Sequence, residues 1–253
     1  MAYNKGIPTY ILAGQSNARG SANFTDTPTV SGVVRTATAN AFVYDAANSG
    51  GGGTGDFLHL QISSTGNTNQ TNTGKLGCEG KLCKSLMDSL GEDVLLLKYA
   101  IGGTSLAVDW LPPGGATLVN FKTEIAAGYR KARSLGMRPE IRGILWWQGE
   151  SDSQNGTWAA AYEANLTALI ADMRSFFSNP SLPFLAVVLD NDDGVAYPHM
   201  ATVNTAIADV IAATDNAYLI DETPFTWTDT IHASTASCEA VGAAAATQFL
   251  AID

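Results

Sequence analysis

Five apolar, β-branched-rich runs alternate along this chain with five longer stretches whose apolar residues recur every three to four positions. The runs are Thr9–Ala13 (TYILA), Val94–Ala100 (VLLLKYA), Ile141–Trp147 (IRGILWW), Phe184–Leu189 (FLAVVL) and Ala217–Ile220. They are continuously hydrophobic, which is the pattern of strands covered on both faces. Glu79–Leu90, Leu118–Leu135, Trp158–Phe177, Met200–Ala213 and Glu239–Leu250 read as helices. In the third of these, Tyr162, Leu166, Leu169, Ile170 and Met173 form one apolar stripe. Strand and helix alternating five times call for crossover connections, hence parallel strands with helices on both faces. The expected fold is a doubly wound α/β domain with a five-stranded, mostly parallel sheet. The length of 253 residues suits a single domain spanning 1–253, since one α/β domain runs to roughly 250 residues.

One segment breaks the rhythm. Between Ser21 and Gly74 the only charged residues are Asp26, Arg35, Asp45 and Asp56, and Thr, Ser, Asn and Gly dominate. Two strand-like pieces, Ala41–Tyr44 and Phe57–Ile62, sit inside it. A polar stretch this long within an α/β domain reads as a surface excursion near the ligand site. The Gly-rich run Ser49–Gly53 lacks the Gly-Lys-Ser/Thr ending of a phosphate loop. Asp190–Gly194 (DNDDG) has its Gly one position early for a calcium loop and Ala201 where the closing Glu belongs, so it reads as a solvated turn.

Charge excludes several partner classes. With 14 Lys and Arg against 24 Asp and Glu, the net charge is −10. That balance argues against nucleic acid, whose binding draws on a cationic footprint, and against anionic membrane surfaces. The three cysteines, Cys78, Cys83 and Cys238, do not make a disulfide framework or a metal-binding spacing, and they read as small buried thiols. The opening residues carry no signal-peptide pattern and no run of 18 apolar residues occurs, so neither a signal peptide nor a transmembrane helix is expected. The compartment is left open: cytoplasmic, or virion-associated if the source is viral.

Reactive residues cluster at predicted strand ends, where open α/β sheets bind ligands. The first strand runs into Gly14-Gln15-Ser16-Asn17-Ala18-Arg19-Gly20. Ser16 alone could be a helix cap. Near the other end of the chain, Asp229-Thr230-Ile231-His232 precedes the last helix. A serine hydroxyl becomes a useful nucleophile only when an imidazole takes its proton, and the imidazole needs a carboxylate on its other nitrogen. Asp229 and His232, three residues apart on one loop, can supply both. Of the other two histidines, His59 lies in a strand-like piece and His199 follows Pro198 at a helix start, and both read as structural. The second strand ends in Ala100-Ile101-Gly102-Gly103-Thr104-Ser105, where a Gly lets a backbone N–H approach a ligand. The third ends in Trp146-Trp147-Gln148-Gly149-Glu150-Ser151-Asp152, where a Gln side chain can donate to a developing oxyanion. At least one of Trp146 and Trp147 should pack in the core.

GQSN, AIGGTS, WWQGESD and DTIH with Gly242 ten residues beyond the His, in that order and at strand ends, resemble the blocks of the SGNH/GDSL hydrolase superfamily. More narrowly, they are similar to its sialate O-acetylesterase and acetyl xylan esterase branch of carbohydrate esterases. The resemblance implies a flavodoxin-like, three-layer αβα sandwich and cofactor-free, metal-free hydrolysis of acyl esters, most often O-acetyl groups on sugars. Carried over by position, Ser16 is the nucleophile, His232 the base and then acid, and Asp229 its orienting carboxylate. The oxyanion hole combines the Ser16 and Gly103 backbone N–H groups with the Gln148 side chain. Asn17 and Glu150 are expected to support this machinery from behind, and Arg19, Trp110 and Trp147 to meet substrate, with Trp158 a further indole near a strand end. Cys78 stands where that branch commonly has Pro, a departure at the start of a helix and not in the chemistry. The expected partner is an acetylated glycan or small acyl ester. The competing readings are a broader lipase or thioesterase of the same superfamily and a glycan-binding attachment module.

Overall fold

The structure is a computed structural model that describes residues 6–23, 41–46, 55–59, 75–190 and 195–252. The strands are β1 (Ile7–Gly14), β2 (Ala22–Asn23), β3 (Ala41–Asp45), β4 (Asp56–His59), β5 (Lys75–Leu76), β6 (Val94–Ala100), β7 (Pro139–Trp147), β8 (Phe184–Val187) and β9 (Ala217–Ile220). The helices are α1 (Ser16–Arg19), α2 (Glu79–Leu90), α3 (Ala116–Ser134), α4 (Glu150–Ser153), α5 (Gly156–Phe176), α6 (Met200–Ala213) and α7 (Thr235–Ile252). Seven strands form the main sheet in the order β4-β3-β6-β1-β7-β8-β9, and β2 pairs with β5 apart from it. All pairings in the main sheet are parallel except β3 with β4.

The α/β class and the layered arrangement agree with the sequence reading, but the sheet has seven strands, not five. The two extra strands are the pieces at 41–44 and 57–59 inside the polar excursion. β3 adds in parallel beside β6, and β4 folds back on it antiparallel to close that edge. β4 is the edge strand and β3 lies between it and β6, and both sit in a polar stretch without the strand–helix alternation that marked the other five. Residues 24–40, 47–54 and 60–74 of that excursion, with the Ser49–Gly53 run, and residues 191–194 of the DNDDG turn lie outside the described residues.

Alternation along β7 shows how the layers are filled. Trp146 faces α3 and α5: it meets Trp110 edge-on with centroids 5.0 Å apart, and Trp110 in turn packs on Phe121 of α3. Trp147 points to the other face and packs against Phe225. On that face Phe249 of α7 covers Tyr10 of β1. Every residue of β1 and β6 is buried, as strands sandwiched between helix layers must be. Asn155 caps α5 by accepting from the N–H groups of Thr157 and Trp158. The three cysteines are buried and unpaired, and burial pushes the Cys78 thiol up to about 12. Among the described residues no helix is long and apolar enough to cross a membrane.

Gly242 fixes how closely α7 approaches the start of α2. A Cβ there would stand 2.5 Å from the Cys78 carbonyl oxygen and 2.9 Å from the Leu82 nitrogen, both backbone atoms that cannot swing away. Gly242→Ala should therefore lower stability by about 1–3 kcal/mol, the usual cost of forcing extra volume into a packed contact. The measurement is a urea transition: the midpoint should fall with an unchanged slope, and an unshifted midpoint would refute the close-packing account.

Candidate active site

The strand order switches sides at β1: the chain lays down β3 and β4 on one side and returns with β6 next to β1, then crosses to β7, β8 and β9 on the other. Ligands of open α/β sheets bind at such a switch point, beyond the carboxyl ends of the strands. The ends of β1, β6 and β7 meet there, held by Ile101 N–H donating to Gly14 O and Gln15 N–H donating to Trp147 O. A pocket of about 500 Å³ opens above them. Ser16, Gly103 and His232, from segments more than 80 residues apart in the chain, all line it.

Ser16 is the first residue of α1, and its carbonyl accepts from Gly20 N–H at 3.0 Å and Ser21 Oγ at 3.1 Å. The Ser16 turn is thus held by its backbone and not through the side-chain hydroxyl. His232 sits on the loop before α7, with Nδ1 2.8 Å from Asp229 Oδ2. The other Asp229 oxygen accepts the backbone N–H groups of His232 at 2.8 Å and Ile231 at 3.1 Å. Burial pushes the Asp229 carboxyl up, but the His232 ring and these two N–H groups outweigh it and hold the group below its ordinary range. Ser16 and His232 line one pocket without being hydrogen-bonded to each other; catalytic bonds of this kind often close only around the reacting substrate.

Asn17 and Glu150 form a brace behind the histidine loop. Asn17 Nδ2 donates to Glu150 Oε1 at 2.7 Å and to the Ile231 carbonyl at 3.2 Å, while its Oδ1 accepts from Ala233 N–H at 3.1 Å. The turn that follows β1 thereby grips both neighbours of His232. Glu150 is 1% exposed and its Oε2 has no hydrogen-bond partner among the described residues; burial raises its carboxyl above the ordinary range despite the Asn17 bond.

Two expectations from the sequence need correction. Gln148 is fully buried and does not line the pocket. Its Nε2 donates to Asp152 Oδ2 at 2.7 Å, Thr104 O at 3.0 Å and Gln15 Oε1 at 3.2 Å, so its donors are already committed inside the protein. Gln15 lies in front of it and does line the pocket. Gln15 Oε1 accepts from Gln148 and from Ser151 N–H at 3.3 Å. A backbone N–H can only donate, so the Gln15 oxygen must face inward and its NH₂ outward. The second correction concerns the indoles. Trp110 and Trp147 are both fully buried core residues, and Trp110 Nε1 donates to Thr104 Oγ1. The aromatic side chains on the pocket wall are Trp158 and Tyr197 instead, and Arg19 joins them as expected. Tyr197 comes from a segment with no strand, helix or motif signal, so nothing in the sequence marked it.

Gly103 holds a left-handed φ of 74°, where a side chain would be strained, and nothing stands within 4 Å of a Cβ there. It is therefore the backbone, not a lack of space, that requires glycine at this turn. His199 occupies the N-cap position of α6 without a side-chain capping bond and does not line the pocket. Among the described residues no group of three or more His, Cys, Asp or Glu is placed to hold a metal ion.

The family model for "Carbohydrate esterase, sialic acid-specific acetylesterase" matches residues 7–251. A probable carbohydrate esterase of Arabidopsis thaliana is 38% identical over 55 residues, a match spanning 22% of this chain and only about a fifth (21%) of the relative's length. A crystal structure of an Arabidopsis thaliana protein superposes with a TM-score of 0.75 at 19% identity, covering 98% of this chain and 99% of that one. The structure of NanS gives 0.70 at 14% identity over 98% and 97% of the two chains. A carbohydrate acetylesterase from Xanthomonas citri gives 0.62 at 19% identity over 96% of this chain and 56% of that one. At these identities the structural likenesses establish the fold.

Proposed function

The chain belongs to the carbohydrate esterase, sialic acid-specific acetylesterase family, and from that premise we propose that it is a serine esterase that removes O-acetyl groups from carbohydrate through an acyl-enzyme. Membership makes it a carboxylic ester hydrolase. The observation that carries the finer reading is the shared pocket of Ser16 and His232, with Asp229 2.8 Å behind the imidazole.

In this reading Ser16 Oγ attacks the acetyl carbonyl carbon while His232 Nε2 takes the hydroxyl proton. Negative charge gathers on the carbonyl oxygen, and the Ser16 and Gly103 backbone N–H groups meet it. The third donor is the outward NH₂ of Gln15, in place of the Gln148 amide. His232 then protonates the departing sugar oxygen, which leaves acetyl on Ser16. Water attacks that ester with His232 again as base, acetate leaves, and Ser16 regains its proton.

The pocket wall favours a small acyl group and a polar alcohol. Gln15, Ser151, Gln154 and Arg19 contribute polar groups, and Trp158 and Tyr197 offer aromatic faces on which a sugar ring can stack. The apolar cleft of about 490 Å³ lined by Ile125, Ile141, Phe176 and Leu182 contains none of these residues, so it offers no acyl groove at Ser16. Arg19 is the only Lys or Arg among the described lining residues, and its Nε is buried without a partner. It supplies a cation for a sugar that carries its own carboxylate.

The experiment is a substrate panel: nitrophenyl esters from acetyl to long acyl chains, and O-acetylated neutral and acidic sugars, each assayed for acid release. Acetyl esters should be turned over fastest, with acetate released from the sugars. Preference for long acyl chains would transfer the chain to the lipase reading, and glycan binding without acetate release to the attachment-module reading.

A further inference from the structure

Asp152, in α4, is a fully buried carboxylate that does not line the pocket. Its Oδ2 accepts from Leu106 N–H at 2.8 Å and Gln148 Nε2 at 2.7 Å, and its Oδ1 accepts from Ala107 N–H at 2.9 Å. A buried carboxylate is costly unless its lone pairs are used, and these three donors use them. Burial raises the carboxyl above its ordinary range, and the Gln148, Leu106 and Ala107 donors work against that rise.

The partners lead in two directions. Leu106 and Ala107 follow Gly103 by three and four residues, so Asp152 pins the segment whose left-handed turn presents the Gly103 N–H. Gln148 leads to Gln15. A carboxylate only accepts, so Gln148 must turn its NH₂ toward Asp152 and its oxygen toward Tyr162, whose hydroxyl lies 3.1 Å away. That NH₂ also reaches Gln15 Oε1 at 3.2 Å and, together with Ser151 N–H on the same oxygen, leaves the Gln15 NH₂ facing the pocket.

We infer that Asp152 is the positioning residue of the oxyanion hole, holding the Gly103 turn and the amide orientation of Gln15 at the same time. The inference rests on the reading of Gly103 and Gln15 as oxyanion donors. Asp152 reaches the reaction through them and touches no reacting atom.

A double-mutant cycle on nitrophenyl acetate separates the two claims. Gln15→Ala alone should lower kcat by about 10²–10³-fold, the usual loss for one oxyanion donor. Asp152→Ala removes both acceptor oxygens and leaves Leu106 N–H, Ala107 N–H and the Gln148 NH₂ without this partner. It should lower kcat by about 10–100-fold with KM changed little, since the donors act mainly on the developing charge. In the Asp152→Ala background, Gln15→Ala should cost less than about tenfold more, because the amide has already lost its orientation. Losses that multiply independently, or a wild-type kcat in Asp152→Ala, would overturn the positioning role while leaving the oxyanion reading standing. An unchanged kcat in Gln15→Ala alone would overturn the oxyanion reading and this inference with it. If Asp152→Ala does not fold, Gln148→Met cuts the same link to Gln15 and should show the same non-additivity; independent losses there would equally overturn the role.

Discussion

Replacing Ser16 with alanine is expected to abolish acetate release while leaving the protein folded. The substitution removes one oxygen atom. The bonds that shape the nucleophile turn run to the Ser16 carbonyl, from Gly20 N–H and Ser21 Oγ, and alanine keeps that carbonyl. Alanine also suits the first position of a short helix. Stability should therefore stay within about 0.5 kcal/mol of the parent, as for substitutions that disturb no structural feature. Turnover is another matter. Without a nucleophile the acyl-enzyme cannot form, and the oxyanion donors and His232 can assist only direct attack by water. Loss of the nucleophile in comparable triads lowers kcat by about 10⁴–10⁶-fold. The measurement pairs acetate release from an activated acetyl ester with a denaturation curve on the same sample. An unchanged denaturation curve with unchanged turnover would remove Ser16 from the mechanism. The collapse of both would make its role structural.

Sequence pattern revealed the frame of this molecule and the type of chemistry, but not the direction in which each polar group points. Four of the five strands and the five long helices were legible because each buries a continuous run or stripe, and burial leaves a periodic trace; β9, only partly buried, showed through its apolar composition. β3 and β4 left only strand-like pieces because they sit inside a polar stretch with no helix pattern between them to mark them as strands of the main sheet. The positions of Ser16 and Gly103 just beyond β1 and β6 were legible because the switch point of a doubly wound sheet is where its loops must meet, and that of His232 from its Asp-x-x-His spacing on the loop before α7. Which of two glutamines faces the pocket was not. Gln15 and Gln148 carry the same amide, and their orientation follows from Asp152 and Ser151 N–H, which come together only in the folded chain. The indoles show the same limit. Trp110 and Trp147 flank the site in sequence yet fill the two faces of the core, whereas Trp158, at the start of α5, reaches the wall.

The second large effect is expected at Asp229, and its contrast with Glu150 identifies the carboxylate that serves the histidine. Both acids lie near His232. Asp229 Oδ2 is 2.8 Å from the ring Nδ1, and its other oxygen is fixed by two backbone N–H groups. In Asp229→Asn those N–H groups will hold the amide oxygen, so the NH₂ is left facing Nδ1. Nδ1 must then become an acceptor, which places the ring proton on Nε2, and a protonated Nε2 cannot take the Ser16 proton. The same tautomer error in a comparable triad costs about 10⁴-fold in kcat. Glu150 has no such contact. Its Oε1 accepts from Asn17, and its Oε2 is buried without a partner. Glu150→Gln can keep an oxygen on Asn17 and set its NH₂ where nothing was bound, so the brace on the histidine loop survives. Its turnover should fall by less than about tenfold, in keeping with a group that acts only through another. The two variants are to be compared for kcat on one acetyl ester at one pH, with denaturation curves to confirm folding. If Glu150→Gln proved the more damaging of two folded variants, the orienting carboxylate would have to be reassigned to Glu150, and Asp229 would become the clasp of the loop.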